Sequence, residues 1–319
     1  MGELSTTERD AVERAGAEPM LAQVERWAAI NSGSANLHGL AEMAAELGEA
    51  FSALPGELRL VEPAPVTAVD PDGREREVAH GRNLHLKVRA DAPVQLLFTG
   101  HMDTVYGADH PFQALSWKEP GVLGGPGVAD MKGGLAVMLA ALKAVEAGPF
   151  ASRLGYEVVI NSDEEVGSPG SAALIAAAAQ GKRAALTYEP AALPDGTLAG
   201  ARPGSGNFSF VVTGRSAHAG RNPEDGRNAV VAAADLALRL TAAEAPGLSV
   251  NVARMDGGGP NNVVPDHAVL RVNMRPVSEA DQARAQEIIA GTVAEVVARH
   301  EVAICVHGGF GRPPKPLDP

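Results

Sequence analysis

At 319 residues and 45% hydrophobic content, the chain is long enough to bury a large core and to divide into two domains. A formal charge of −12 at pH 7, without clustered Lys and Arg, excludes a nucleic-acid footprint. One cysteine, Cys305, rules out an intrachain disulfide, and the opening MGELSTTERDAVERAG has neither a basic start nor a long apolar run, so a cytoplasmic protein without a membrane segment is expected.

In chain order, apolar residues first recur at helical spacing over 18–54, as Leu21, Val24, Trp27 and Ile30, then Leu40, Met43, Leu47 and Phe51. Strands are predicted at 58–61, 83–88 and 94–99, the last a continuous apolar run ending at Gly100-His101-Met102-Asp103. A helix over 131–146, with Leu135, Met138, Leu139 and Leu142 on one face, begins directly at Gly127-Val128-Ala129-Asp130. Strand 156–161 leads into Ser162-Asp163-Glu164-Glu165, helix 168–180 follows, and strand 183–188 runs into Glu189-Pro190. This alternation predicts an α/β architecture, a mostly parallel sheet with helices on both faces.

After the loop-rich stretch 201–206 come strand 208–213, helix 225–241, strands 248–255 and 268–274, helix 278–300 and strand 302–307. That order predicts an inserted ferredoxin-like α+β domain. The expected division is 1–202 for a catalytic, metal-binding domain and 203–309 for the insert, with 310–319 starting a return to the first domain. Cys305, in the apolar run 302–306, is expected to pack in the core and is given no role.

Strand ends in an open α/β sheet share one edge, so His101, Asp103, Asp130, Glu164, Glu165 and Glu189 can meet there. Any one of them alone is ordinarily a surface, turn or helix-capping residue. Clusters at the ends of successive Val/Leu/Ile-rich runs point instead to a divalent metal. His101 and Asp103, at i and i+2, project together, which suits an imidazole ligand whose second nitrogen is held by a carboxylate. Asp130, flanked by Gly127 and Gly133-Gly134, has two oxygens that can bridge two cations. Adjacent Glu164 and Glu165 repel unless a cation or proton lies between them, so one can ligate while its neighbour acts as a base. Lys132 is followed by Gly133 and not by Ser or Thr, which excludes a phosphate-cradling loop.

Six motifs together resemble the M20 metallopeptidases, a family that includes glutamate carboxypeptidase, acetylornithine deacetylase and succinyl-diaminopimelate desuccinylase. They are Gly100-His101-Met102-Asp103-Thr104-Val105, Gly127-Val128-Ala129-Asp130-Met131-Lys132-Gly133, Glu164-Glu165-Val166-Gly167, Glu189-Pro190, Gly214-Arg215-Ser216-Ala217-His218-Ala219-Gly220 and Asn262-Val263-Val264-Pro265. The resemblance runs through nearly the whole chain. It implies a zinc-peptidase-like catalytic domain with a lid/dimerisation domain, and hydrolysis of an amide bond in an N-acyl amino acid or small peptide with a free carboxylate. Two zinc ions are implied, one held by His101, Asp130 and Glu189, the other by bridging Asp130 and Glu165. Asp103 would orient His101, and Glu164 would be the general base for a metal-activated water.

The same resemblance implies a cis peptide at Asp130-Met131 and a homodimer formed through the lid. His218 would reach the partner's active site and stabilise an oxyanion, Asn262 would hydrogen-bond substrate, and Arg275 would pair with its carboxylate. Read alone, His218 is a helix-entry residue and Arg275 a surface arginine at a strand end. The competing expectations are a deacetylase or desuccinylase of the same chemistry, and a non-catalytic binding protein of the same fold. The pattern departs at the C-terminus, where family members continue past the insert and supply one more His ligand. The chain therefore reads as truncated, with the second zinc short of that ligand; His300 and His307, the late candidates, belong to the insert's last helix and strand.

Overall fold

A capping box of Ser5 with Glu8 opens helix α1 (Thr6–Gly16), and α2 (Met20–Ala28) follows with Val24 and Trp27 buried. The computed structural model describes residues 4–193 and 195–317. Residues 318 and 319, part of the expected return segment 310–319, lie outside the described residues, as do 1–3 and 194 of the expected first domain. The Asn36 side chain caps α3 (Leu37–Phe51), which buries Leu40, Met43, Leu47 and Phe51. The region read as helical over 18–54 is thus two helices parted at 29–36. Helix α1 was invisible to hydrophobic periodicity because it buries no residue at all.

Next come β1 (Glu57–Val61), the hairpin β2 (Val66–Val69) and β3 (Glu75–Val78), β4 (Asn83–Val88), β5 (Val94–His101) and a second hairpin, β6 (Ser116–Glu119) and β7 (Val122–Gly124). Helix α4 (Gly133–Glu146), β8 (Leu154–Asn161), α5 (Ala172–Ala179) and β9 (Ala184–Thr187) follow. Helix α5 starts later than the predicted 168 because Gly167 and Ser168 hold φ of 95° and 59°, outside the helical region. The remaining elements are β10 (Ser205–Thr213), β11 (Ala217–His218), α6 (Ala229–Ala242), β12 (Leu248–Gly257), β13 (Val263–Val264), β14 (His267–Pro276), α7 (Glu279–His300) and β15 (Ala303–Arg312).

The chain forms two compact units, Met1–Val66 with Ala79–Ala191, and Thr67–Val78 with Ala192–Pro319. In the first, a five-stranded sheet has the order β1-β4-β8-β5-β9. Strands β8, β5 and β9 run parallel, joined by connections that contain α4 and α5, whereas β4 is antiparallel to both its neighbours. The link 89–93 between β4 and β5 is too short for a crossover helix, so the chain must reverse there. Helices α2, α3 and α4 cover one face, packing Trp27, Met43, Leu47, Phe51 and Leu135 against Leu84, Leu86, Tyr156 and Ile160. Each large side chain fully buried in this way contributes roughly 1.5–3 kcal/mol. The other face carries α5 over Leu97 and Val159, while the edge strand β9 is exposed along its whole length.

The second unit is an antiparallel sheet of order β12-β14-β10-β15 with α6 and α7 packed on one face, the βαββαβ plan of a ferredoxin-like sandwich. Its open face is crossed by the β2–β3 hairpin: Arg271 Nη2 donates to Val69 O (2.9 Å) and His307 Nδ1 lies 2.9 Å from Glu75 Oε1. Two expectations change here. Residues 310–312 extend β15, with Ser205 opposite Arg312, so they complete this sheet and do not begin a return to the first domain. Cys305 is exposed, because strand alternation turns Ile304 toward the helices and the next side chain outward. Among the described residues, no helix is long and apolar enough to cross a membrane.

Candidate metal centre

Register builds the site. In the parallel sheet His101 stands opposite Asn161 and Thr99 opposite Thr187. Three strands therefore end together, with His101 closing β5, Glu164 three residues past β8 and Glu189 two past β9. Asp130 comes from the turn before α4, which can approach because residue 134 has no side chain. A Cβ at Gly134 would stand 1.9 Å from Tyr188 O, and one at Gly100 would meet Leu135 at 2.7 Å. The Asp130-Met131 peptide is cis, as the resemblance implied. Lys132, buried, donates from Nζ to Ile30 O (2.9 Å) and Trp27 O (3.1 Å), holding the end of α2 beneath this turn. Burial pulls its ammonium down to about 8.

His101 is the buried floor of the cluster. Its Nδ1 faces Asp103, 3.0 Å from the backbone O and 3.3 Å from Oδ1; its Nε2 faces Asp130 Oδ1 (2.9 Å) and Glu189 Oε1 (3.6 Å). The Asp130 side chain is 53% exposed and that of Glu189 30%, so carboxylates rim an opening with the imidazole at its base. Two trios have donor atoms within 4.8 Å of one another, His101 with Asp130 and Glu165, and His101 with Glu164 and Glu189. Both glutamates of the pair are thus within ligand reach, and distance alone does not divide them into ligand and base.

Asp103, fully buried, does more than face the imidazole. Its Oδ1 accepts from Glu164 N–H (3.1 Å), and its Oδ2 from Glu165 N–H (3.2 Å) and the Ser34 hydroxyl (2.7 Å). On the far side, Asp163 anchors the glutamate turn by accepting from Asn161 Nδ2, Ser171 Oγ and Gly170 N–H.

The site is short of positive charge. Burial first, then the neighbouring Asp130, Asp103 and Glu164, pushes the Glu165 carboxyl up to about 7, against the pull of His101. Burial lowers the His101 pKa, yet its hydrogen bonds to Asp103, Asp130 and Glu189 win and push it up to about 12. One imidazole cannot balance so many carboxylates, whereas a divalent cation can. Donors ~2 Å from a tetrahedral ion stand ~3.3 Å apart, close to the 2.9 and 3.6 Å around Nε2, so the residues present fit such an ion.

In the second unit, His218 and Asn262 are brought together. Strand β11 pairs with β13 through His218 opposite Val263, and Ala219 N–H donates to Asn262 O (2.9 Å). Gly220 N–H donates to His218 Nδ1 (3.1 Å), so in the neutral ring the proton sits on Nε2. Arg275 is exposed, its Nε donating to Asn273 Oδ1 (3.0 Å). The late histidines are engaged elsewhere, His300 with Asp235 (2.9 Å) and His307 with Glu75.

Residues 200–301 match the family description "Peptidase dimerisation domain" of M20, and residues 83–193 match "Peptidase family M28". The chain is 35% identical over 207 residues to carboxypeptidase G2 of Pseudomonas sp. (strain RS-16), covering 63% of this chain and 49% of the relative. It is 36% identical over 171 residues to indole-3-acetyl-aspartic acid hydrolase of Enterobacter agglomerans, covering 49% of this chain and 38% of the relative. The matched part is half or less of each relative's length.

The second unit carries the dimerisation domain of the M20 peptidases. The M28 match falls on the metal-centre unit alone, and it is the second unit that selects M20. The fold agrees with a tripeptidase from Staphylococcus aureus subsp. aureus Mu50, at a TM-score of 0.68 and 21% identity over 94% of this chain and 77% of that one. Reading M20 motifs missed Lys132 as a helix anchor, Ser34 as a donor to the Asp103 carboxylate, and Asp163 as the acceptor that anchors the glutamate turn. Asp163 adjoins Glu164 and was within reach of inspection. Nothing in the spacing of Ser34 signals its contact with a residue 69 positions away.

Proposed function

We propose that this chain carries the metal-dependent amidohydrolase site of an M20 peptidase, cleaving the amide bond of an N-acyl amino acid or small peptide with a free carboxylate. The convergence of His101, Asp130, Glu164, Glu165 and Glu189 in two overlapping donor trios carries the reading. His101, Asp130, Glu165 and Glu189 would hold two zinc ions, which when bound would supply polarisation of the scissile carbonyl and acidification of water. Asp103 fixes His101 in the tautomer that leaves Nε2 free to ligate. Glu164 takes the proton of the attacking water and returns it to the leaving amine, while Glu165 ligates.

His218 offers a fixed Nε2–H to a developing oxyanion, acting within a homodimer built by the dimerisation domain. Asn262, beside it, hydrogen-bonds the substrate, and Arg275 presents a planar fork to a substrate carboxylate. The name of one relative, a hydrolase of indole-3-acetyl-aspartic acid, makes N-acylated acidic amino acids the first candidates. A lone free thiol and no disulfide fit the cytoplasm.

The test is elemental analysis and hydrolysis of a panel of N-acyl amino acids, N-succinyl compounds and dipeptides, with added zinc. Glu164→Gln should abolish turnover and keep its metal, while Glu165→Ala should lose metal; equal metal loss in both would contradict the separate roles. His218→Ala should slow turnover at unchanged zinc content. A wild-type chain that binds no divalent ion sinks the reading.

A further inference from the structure

Ser34 lies in the turn between α2 and α3, outside every motif. Backbone bonds tie that turn to the exit of β5: Thr104 N–H donates to Ser32 O (3.0 Å) and Ser34 N–H to Thr104 O (3.2 Å). The clamp holds the hydroxyl 2.7 Å from Asp103 Oδ2. The torsion that turns a carboxylate about its own axis is soft, so the plane of Asp103 is set by its donors. Two of these are backbone N–H groups at 3.1 and 3.2 Å, and the third, the shortest, is Ser34. A hydroxyl donating to a carboxylate at that distance is a charge-assisted bond. Tilting the carboxylate would disturb two things at once, because the same oxygens face His101 Nδ1 at 3.3 Å and receive the first amides of the glutamate turn.

We propose that Ser34 is a positioning residue of the metal centre, its hydroxyl setting the Asp103 carboxylate and through it the aim of His101 Nε2 and the seat of Glu164 and Glu165. The inference rests on the metal-centre reading above and deepens it. Outer partners of metal ligands are worth about 10–100-fold in affinity when removed, and Ser34 acts one bond further out, at the low end of that range.

The experiment loads the full chain with Co2+, measures affinity by chelator competition and records the visible d–d spectrum for wild type, Ser34→Ala and Ser34→Thr. The expected result is an affinity about 10-fold weaker and a shifted spectrum in Ser34→Ala, with both restored by Ser34→Thr, which keeps the hydroxyl. A Ser34→Ala protein with wild-type affinity and spectrum overturns the proposal while leaving the metal centre standing. Loss in both variants assigns the effect to the shape of the turn, and a Ser34→Ala chain that fails to fold where Ser34→Thr folds assigns it to stability; either overturns the positioning role. A wild type that takes up no cobalt sinks the metal-centre reading, and this inference falls with it.

Discussion

The two units solve burial in opposite ways. Among the described residues, the first buries eleven polar or charged side chains, from Ser32 through His101, Asp103, Lys132 and Glu157 to Ser171, and the second buries none. The Ser32 and Thr104 hydroxyls find no partner, but the site's own groups do, and a missing one costs ~1–3 kcal/mol, so the network around His101, Asp103 and Asp163 tolerates little change. The second unit is an apolar sandwich in which Phe208, Phe210, Leu236, Leu270 and Met274 need only volume and pattern. The buried polar residues are concentrated in the unit that holds the metal centre, whereas the residues proposed to meet substrate from the second unit, His218, Asn262 and Arg275, stand on its exposed surface.

That contrast breaks down if apolar truncation in the second unit disturbs the metal. Phe210→Ala should lower stability by about 3–5 kcal/mol, the largest effect foreseen here, because a fully buried ring leaves a cavity. Chemical denaturation should show the loss, with metal affinity in the folded protein unchanged within twofold.

Glu157 sharpens it from the other side. This carboxylate in the middle of β8 is paired with Lys182 (2.8 Å) and His85 (2.6 Å). Burial alone would raise its pKa, but the bonds from Lys182 and His85 outweigh it and the value ends below the ordinary 4.5. A lowered folded pKa contributes stability that is present above the unfolded value and lost as the pH falls through the folded one. Glu157→Gln, which strands a buried ammonium, should therefore cost about 3 kcal/mol at pH 7 and markedly less near pH 3. Urea midpoints at the two pH values decide it, and a pH-independent difference would remove the charge from the explanation.

What was legible in the sequence follows the same divide. Every strand and helix of the second unit's sandwich announces itself, because apolar period is what specifies it; the short pair β11 and β13 outside that sandwich escaped. In the first unit the strand-end motifs were readable since they are local, but the partners that hold them were not. Ser34 and Lys132 reach across folds of the chain, to Asp103 and to the end of α2, and no single stretch of sequence displays such contacts. Strand β4 was predicted at its observed bounds, 83–88, but its reversed direction was not, since that is dictated by the length of the link 89–93 and not by its own residues. The hairpin β2–β3 carries too few apolar side chains to show a period, and its allegiance to the second unit rests on single contacts such as Arg271 with Val69.

Glycine tests the comparison with one substitution made twice. Gly134→Ala places a methyl 1.9 Å from Tyr188 O, a backbone atom that cannot swing away, so the start of α4 must retreat from the end of β9. About 2 kcal/mol of stability should be lost. Metal affinity should fall with it, since Asp130 precedes the displaced helix and Glu189 follows Tyr188. A variant of wild-type affinity would show that the two ligands are positioned independently of this contact.

Gly291 in α7 has nothing within 4 Å of where a Cβ would stand. There the methyl meets no neighbour, and the dominant effect is the backbone freedom that alanine removes from the unfolded chain. Gly291→Ala should therefore stabilise the protein by about 0.5–1 kcal/mol. The gain should read out as a small rise in denaturation midpoint, with turnover and metal content untouched. The same added carbon then has opposite signs in the two units, because one glycine is there to let backbones touch and the other is not. A loss at Gly291 as large as that at Gly134 would mean the outer face of α7 is covered in solution, for example by a second copy of the chain.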